Sequence, residues 1–435
     1  MPLKPIRVPN FQGGLDKSDD SIIADNQLAD ATNCFYNSDK NLQTRYGQAA
    51  FGSPVPDSVL LVDECDATTG WSVSEDGVNL TLDTTNQKRG TGALNFDVDV
   101  SATANDYAIL TKSTLALDIT NQKGSLKFWF TIPTGGLTDF TNIVVRFGTD
   151  SSNYYEWTVL AADLVEGSNF LDLSYSDATT TGTLNDASIT YFQSTLNYDA
   201  AYTDQTDFLI DSIYSYSATS TKGMRSIMFF ETTEVPAVRY LFTTVGTGLY
   251  LYNETSNSWE IIRNDLTENA FTELTAYKNT MYFTNGKDNY FSFDGVSYTD
   301  HTGANTYKGK YFLLANDVGY IAGDPTVPSS LAYTNATPTN LQTFPNVLVV
   351  DEDDSSGPIT GLINLGPIVI VCKRDKIYKV NVATPSREQI DYSDGFLSHR
   401  GLVRVENEVL GVNNSGIYSL AQRQATTGSI RADDL

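Results

Sequence analysis

The chain holds 435 residues, too many for one ordinary core, and a length of this order suggests about two to three domains. Hydrophobic residues make up 40 % and charged residues 19 %, the balance of a folded globular protein rather than a disordered one. A net charge of −25 argues against binding nucleic acid by neutralising phosphates, and no apolar run is long enough to span a bilayer.

The expected fold class is all-β. Tyr 25 and Phe 21 stand beside abundant Thr, Ser, Asn, Asp and Gly, a mixture that suits strands and turns, and long stretches of helical period are missing. Residues 1–57 are read as an N-terminal arm. It begins polar and extended, holds one short helix capped by Asp25, and ends in a hairpin that turns at Asn37 to Asn41. Residues 58–220 have another texture. "SVLLVDE", "GALNFDVDV", "YAILTK", "GSLKFWFTI", "NIVVRFG", "NYYEWTVL", "NFLDLSY" and "DFLIDSIYSYS" alternate with turn clusters, which predicts a β-sandwich or jelly roll.

Residues 221–435 recur. "GTGLYLYNETSNSWEII", "NTMYFTNGKDNYFSFDG", "VGYIAGDPTVPSSLAYTN", "PIVIVCKRDKIYKVN" and "NEVLGVNNSGIYSL" are each read as an apolar strand, a polar turn, and a second strand carrying Tyr or Phe. A spacing of roughly 30–50 residues is that of β-propeller blades, which bury both faces only by stacking around an axis. The propeller is expected to be either incomplete or closed by the N-terminal hairpin. In the second case the sandwich is an insertion.

Catalytic chemistry finds little purchase. The two histidines, His301 and His399, are about a hundred residues apart, and no G-x-S-x-G elbow is present. Both are expected to be structural. Three cysteines, Cys34, Cys65 and Cys372, write no disulfide framework, and no Cys/His pair has zinc spacing. Gly246-Thr247-Gly248 lacks what a phosphate loop needs. Lys373, Arg374, Lys376 and Lys379 are read as a solvated strand face, and Asp351 to Asp354 as a solvated loop. Trp129, Tyr154, Tyr155 and Trp157 are the candidate glycan contacts, because an aromatic face packs on the C–H face of a sugar. Tyr155 and Trp157 share one strand face and Tyr154 takes the other, so at most one set is exposed. Met1 to Asn10 lacks the apolar centre of a signal peptide, so folding is expected in a cytoplasm, with exit only inside a larger particle.

The two ends of the chain carry a resemblance. Phe11 to Gly14 reads F-x-G-G. Asp25-Asn26-Gln27-Leu28, Asp30, Asn33 and Leu42 follow, and then Arg45-Tyr46-Gly47. Near the other end, "GYIAGDPTVPSSLAYTNATPTNLQTF" precedes "DGFLSHRGLVRVENEVLGVNNSGIYSL", with Ser415-Gly416-Ile417-Tyr418 at a closing strand. Together and in this order they resemble the tail nozzle, or tail hub, β-propeller proteins of short-tailed bacteriophages, over about the first 50 and last 210 residues. The resemblance implies a virion structural protein with no enzymatic activity. It implies a homo-oligomeric ring, sixfold, around the DNA exit channel, with the adaptor and other tail proteins as partners. The middle segment resembles a carbohydrate-binding-module-like jelly roll. That implies contact with host glycans, tail fibres or neighbouring tail proteins. It also implies a structural calcium held by Glu64 or Asp66 together with Asp211, since calcium takes hard oxygen ligands. The competing expectation is a glycan-binding tail or surface adhesin.

Overall fold

The computed structural model describes residues 34–36, 42–44, 54–101, 106–233, 235–268, 270–351, 357–381, 386–391, 395–413 and 416–421. The chain forms two compact units, Met1–Ser53 and Pro54–Leu435. In the first, β1 (Cys34–Tyr36) and β2 (Leu42–Thr44) pair antiparallel as the predicted hairpin, Tyr36 opposite Leu42. The helix expected at Asp25 lies outside the described residues. In the second unit, which begins at Pro54, the sandwich and the blades share one body. Val55 shows why: it is buried among Tyr216, Tyr250, Trp259 and Ile261.

The sandwich strands are β3 (Val59–Asp63), β4 (Trp71–Glu75), β5 (Gly77–Asp83), β6 (Ala93–Val98), β7 (Tyr107–Lys112), β8 (Ser125–Ile132), β9 (Phe140–Asp150), β10 (Asn153–Leu160), β11 (Gly167–Ser174), β12 (Thr179–Thr181), β13 (Tyr191–Tyr198) and β14 (Gln205–Tyr216). One sheet runs β12-β10-β9-β13-β7-β4. The other runs β11-β8-β14-β6-β5, with β3 also paired to β14. From β8 onward the chain crosses repeatedly between the sheets, the path of a jelly roll. Phe96, Phe128, Phe130, Phe147, Phe192 and Phe208 alternate inward and fill the space between. In β14 a bulge at Ser212, with φ of +52°, shifts the register past Asp211.

Five sheets follow. The first blade is β15 (Met224–Glu231), β16 (Arg239–Val245), β17 (Gly248–Asn253) and β18 (Ser258–Arg263). The second is β19 (Glu273–Tyr277), β20 (Thr280–Thr284), β21 (Phe291–Phe293) and β22 (Tyr298–Asp300). The third is β23 (Tyr311–Ala315), β24 (Val318–Ala322), β25 (Ser330–Tyr333) and β26 (Asn346–Val349). The fourth is β27 (Gly361–Leu365), β28 (Ile368–Cys372), β29 (Ile377–Asn381) and β30 (Arg387–Asp391). The fifth has three strands among the described residues: β31 (Val403–Val405), β32 (Glu408–Asn413) and β33 (Gly416–Ala421).

Each blade is a meander of antiparallel neighbours, and the leading strands β15, β19, β23, β27 and β31 lie side by side. Four apolar clusters fill the spaces between successive blades. Phe242 of the first meets Phe283 and Phe293 of the second, Tyr290 meets Phe312, Tyr320 shares a core with Val369, and Ile370 with Val409. That is propeller packing, the second, third and fourth sheets lying between neighbours on both faces. Tight turns at Lys278-Asn279 and Asn316-Asp317, all at positive φ, match the twist of hairpin strands.

Two expectations about charge need correction. Lys373 is fully buried, 3.0 Å from Asp351 and 2.6 Å from Ser329 Oγ, and Lys376 joins the same carboxylate at 3.0 Å. The basic stretch is therefore partly an internal ion-pair cluster between the third and fourth blades. Asp351 belongs to it rather than to a solvated loop, because a buried ammonium needs a paired anion. Residues 352–354 lie outside the described residues.

Candidate functional site: the clasp between sandwich and first blade

The outermost strands of the blades differ in one respect. β22 is exposed along its length and β26 is half-buried to exposed, whereas β18 is buried from Ser258 to Arg263. The sandwich grips it from both faces. On one face, Val55, Val59, Tyr214 and Tyr216 pack on Val245, Tyr250, Trp259 and Ile261. The Tyr216 hydroxyl accepts the Ile261 N–H at 3.0 Å. Lys127 lies 4.9 Å over the Tyr216 ring, donates to the Trp259 carbonyl at 3.4 Å and pairs with Asp172 at 2.7 Å. Burial pulls its pKa below the usual lysine value, and the Asp172 charge works against that.

On the other face, Glu260 is 3 % exposed and receives two charge-assisted or polar donors from the sandwich. Arg89 Nη2 donates at 2.6 Å and Trp129 Nε1 at 2.6 Å. Arg89 Nη1 reaches the Gly295 carbonyl in the second blade at 3.0 Å, and its guanidinium lies over the Phe293 ring at 5.5 Å. Ser297 donates to the Gly90 carbonyl at 2.5 Å. A cleft of about 130 Å³ remains between these groups, lined by Glu64, Asp66, Arg89, Tyr214, Phe293 and Tyr298.

The loop that presents Arg89 is held by two carboxylates. Asp211, displaced by the β14 bulge, accepts the N–H groups of Lys88 at 2.6 Å and Arg89 at 2.9 Å. Asp66 accepts those of Thr91 at 2.9 Å and Gly92 at 2.8 Å. Gly90 has φ of +68°, and a Cβ there would stand 2.7 Å from Asp66 Oδ1, so no other residue fits without strain. Burial pushes the Asp211 carboxyl up to about 6 despite those backbone donors. Both linkers converge at Asp57, which accepts the N–H groups of Thr221 and Lys222 at 2.9 and 2.7 Å. Burial acts to raise its pKa, but these hydrogen bonds prevail and hold it at about 2.

The calcium expectation is therefore corrected. Asp66 and Asp211 each turn one oxygen onto two amide donors of one loop, the other Asp211 oxygen accepts the Ser212 hydroxyl, Glu64 stands exposed at the rim of the cleft, and no group of three ligand residues converges among the described residues. Backbone N–H groups satisfy the carboxylates as a cation otherwise would. The aromatic set also divides. Tyr155 and Trp157 are buried in the sandwich core, both edge-on to Tyr175, with hydrogen bonds to Asp186 at 2.8 Å and the Ser174 carbonyl at 2.7 Å. They offer no face to a sugar, because large rings are worth more inside. Tyr154 is half-buried under the Arg146 guanidinium at 4.7 Å, and Trp129 is in the clasp.

Arg89, Glu260, Tyr216 and Lys127 carry no sequence signal of this role. Arg89 reads as one more base in a polar turn, and Lys127 as an ordinary strand residue. The histidines are engaged in packing. His301 lies between Tyr282 and Tyr290, hydrogen-bonded to Ser292 Oγ at 2.9 Å, and burial lowers it to about 4. His399 accepts the Leu362 N–H at 3.3 Å, tilts on Tyr311 at 5.0 Å and stands 3.6 Å from Glu273, so its turn bridges the second, third and fourth blades.

No known protein family and no curated protein matches the chain. Among solved structures it is similar to the family 11 carbohydrate-binding module from Clostridium thermocellum in complex with a β-1,3-1,4-mixed-linked tetrasaccharide. That match has 10 % identity over 39 % of this chain and 98 % of the module, with a TM-score of 0.27. It is similar to Kluyveromyces lactis Hsv2 at 12 % identity over 67 % of this chain and 79 % of that one, TM-score 0.34. The chain also matches a nidogen/laminin complex at 9 % identity over 65 % and 90 %, TM-score 0.33.

Proposed function

We propose that this chain is a non-enzymatic structural subunit of a phage tail, in the nozzle position, and that its sandwich is a fixed bracket on the propeller. The observation that carries the bracket is the burial of Trp259, Glu260 and Ile261 of β18 against the sandwich. A module meant to search for ligand is usually tethered by a pliant linker and a small polar interface. Here both linkers are pinned to Asp57 and the contact wraps a strand on two faces. The nozzle position and the sixfold ring rest on the resemblance at the two ends of the chain. An electron micrograph of the purified protein tests the reading: a ring with a central channel is expected, and a stable monomer overturns it.

A second reading is favoured by one feature. Beside the clasp an open groove of about 530 Å³ is lined by Trp129, Tyr240, Tyr252, Asn253, Glu254 and Arg239, a mixture of rings and polar groups of the size that holds small ligands. In this reading the groove takes a host glycan and the protein is an adhesin. Glycan-array binding by the full chain, lost in Tyr252→Ala, supports it. An array without signal removes it.

A further inference from the structure

The propeller presents two unlike apolar faces, one on its first blade and one on its last. In β15 the side chains alternate. Ser226 and Met228 are buried, Met228 in the core shared with the second blade, while Ile227 and Phe229 point the other way and are 69 % and 59 % exposed. On the fifth blade, Val409, Tyr418 and Leu420 pack on the fourth. The opposite face carries Val403, Val405, Val412 and Ile417, which are 52, 50, 43 and 64 % exposed, with Val412 and Ile417 directly paired across the ladder. Each face is where a propeller sheet ordinarily meets its next neighbour.

Among the described residues the two faces do not cover one another, since both are exposed. Clusters of exposed aliphatic and aromatic side chains of this kind mark contact sites. Their flanking charges are opposite. Arg225 and Arg239 stand beside Ile227 and Phe229, with Glu231 bonded to Arg239 at 3.1 Å. Glu406 and Glu408 stand beside Val405 and Val412, with Arg404 turned onto the Glu406 carbonyl. In a chain of net charge −25, an arginine-flanked apolar patch has an acidic counterpart on its own kind.

We infer that the first-blade face of one copy docks on the last-blade face of a second copy of this chain. Two unlike surfaces meeting head to tail make a heterologous contact, which closes into a ring when the rotation per subunit divides the circle. This rests on the ring reading above and adds the surfaces that would build it.

The test co-expresses two differently tagged full-length chains in a Cys34→Ser background, one carrying Ile227→Cys and the other Ile417→Cys. A short thiol-to-thiol cross-linker should join the two tags, and mass photometry should show the ring. The variant Ile227→Asp/Phe229→Asp should lower the mass to that of a monomer while keeping its near-ultraviolet circular dichroism. Should that variant fail to fold, the cross-link still decides. A ring with no link between the tags overturns the inference and leaves the ring reading standing. A link formed within single chains carrying both cysteines at high dilution also overturns it, because the faces then close in cis. An unsubstituted chain that stays monomeric overturns the ring reading itself.

Discussion

Arg89 of the sandwich and Glu260 of the first blade meet at 2.6 Å, with their side chains 14 % and 4 % exposed. The pair joins two bodies that the sequence reads as separate domains. Its surroundings decide what it is worth. Trp129 completes the Glu260 carboxylate from the other side, and the Arg89 backbone N–H is fixed by Asp211. Removing one member leaves the other buried and unpaired, which typically costs about 3–5 kcal/mol.

Glu260→Ala should therefore destabilise the protein by about 3 kcal/mol. Arg89→Met/Glu260→Leu together should cost much less, because neither charge is then stranded. Urea unfolding of the wild type, Arg89→Met, Glu260→Leu and the double variant checks this as a cycle. A double-variant loss equal to the sum of the two single losses would count against a coupled pair.

The loop under Arg89 gives a second test, of the carboxylates expected to hold calcium. Asp211→Ala orphans two half-buried amide donors and should cost about 1–3 kcal/mol. Added calcium or chelator should leave the melting temperature of the wild type unchanged. A calcium-dependent rise that disappears in Asp211→Ala would restore the metal reading.

Gly90 is the hinge of the same loop. Its φ is positive, and a methyl group added there would stand only 2.7 Å from Asp66 Oδ1. Gly90→Ala should therefore cost on the order of 1–3 kcal/mol. Shortening the partner in Gly90→Ala/Asp66→Ser should return only the steric part of that loss. Thermal melts of the wild type, Gly90→Ala, Asp66→Ser and the double variant separate the two contributions, since Asp66→Ser alone measures the loss of its two amide bonds.

Much of this architecture was legible in the chain. All eight sandwich segments named from pattern contain a strand, and "YAILTK" and "NYYEWTVL" match β7 and β10 end to end. In the last four blades the recurrent phrases fall on the second and third strands, which in the second to fourth blades are largely buried on both faces and so are rich in apolar residues. The outer strands were not legible. "YTD" in β22 is short and exposed, and carries no apolar pattern. β13 was missed although it lies inside its sheet. "YFQSTLNY" looks polar because Gln193 and Ser194 are buried there, Gln193 beside the Tyr191 hydroxyl. The clasp was least legible of all. Glu260 and Arg89 are 171 residues apart, and only the closed fold makes them neighbours.

The last test concerns pH. Glu273, at the start of β19, is pushed up to about 7 by burial, with Arg400 and Lys310 opposing the rise. Its partner His399 is held below the usual imidazole value by burial and by the same two cations. A carboxyl whose folded pKa lies above its unfolded one binds the proton more tightly when folded. Its contribution to stability is complete below about pH 4.5 and is lost as pH rises through 7. His399 acts in the opposite sense, its contribution being lost as pH falls below the usual imidazole range. Glu273→Gln isolates the first effect, since glutamine carries no proton to lose. Relative to wild type, this variant should gain on the order of 2 kcal/mol between pH 4.5 and pH 8. Denaturant unfolding at several pH values measures the difference directly. A wild-type-minus-variant stability that stays flat across that range would show that Glu273 ionises freely against its two cations.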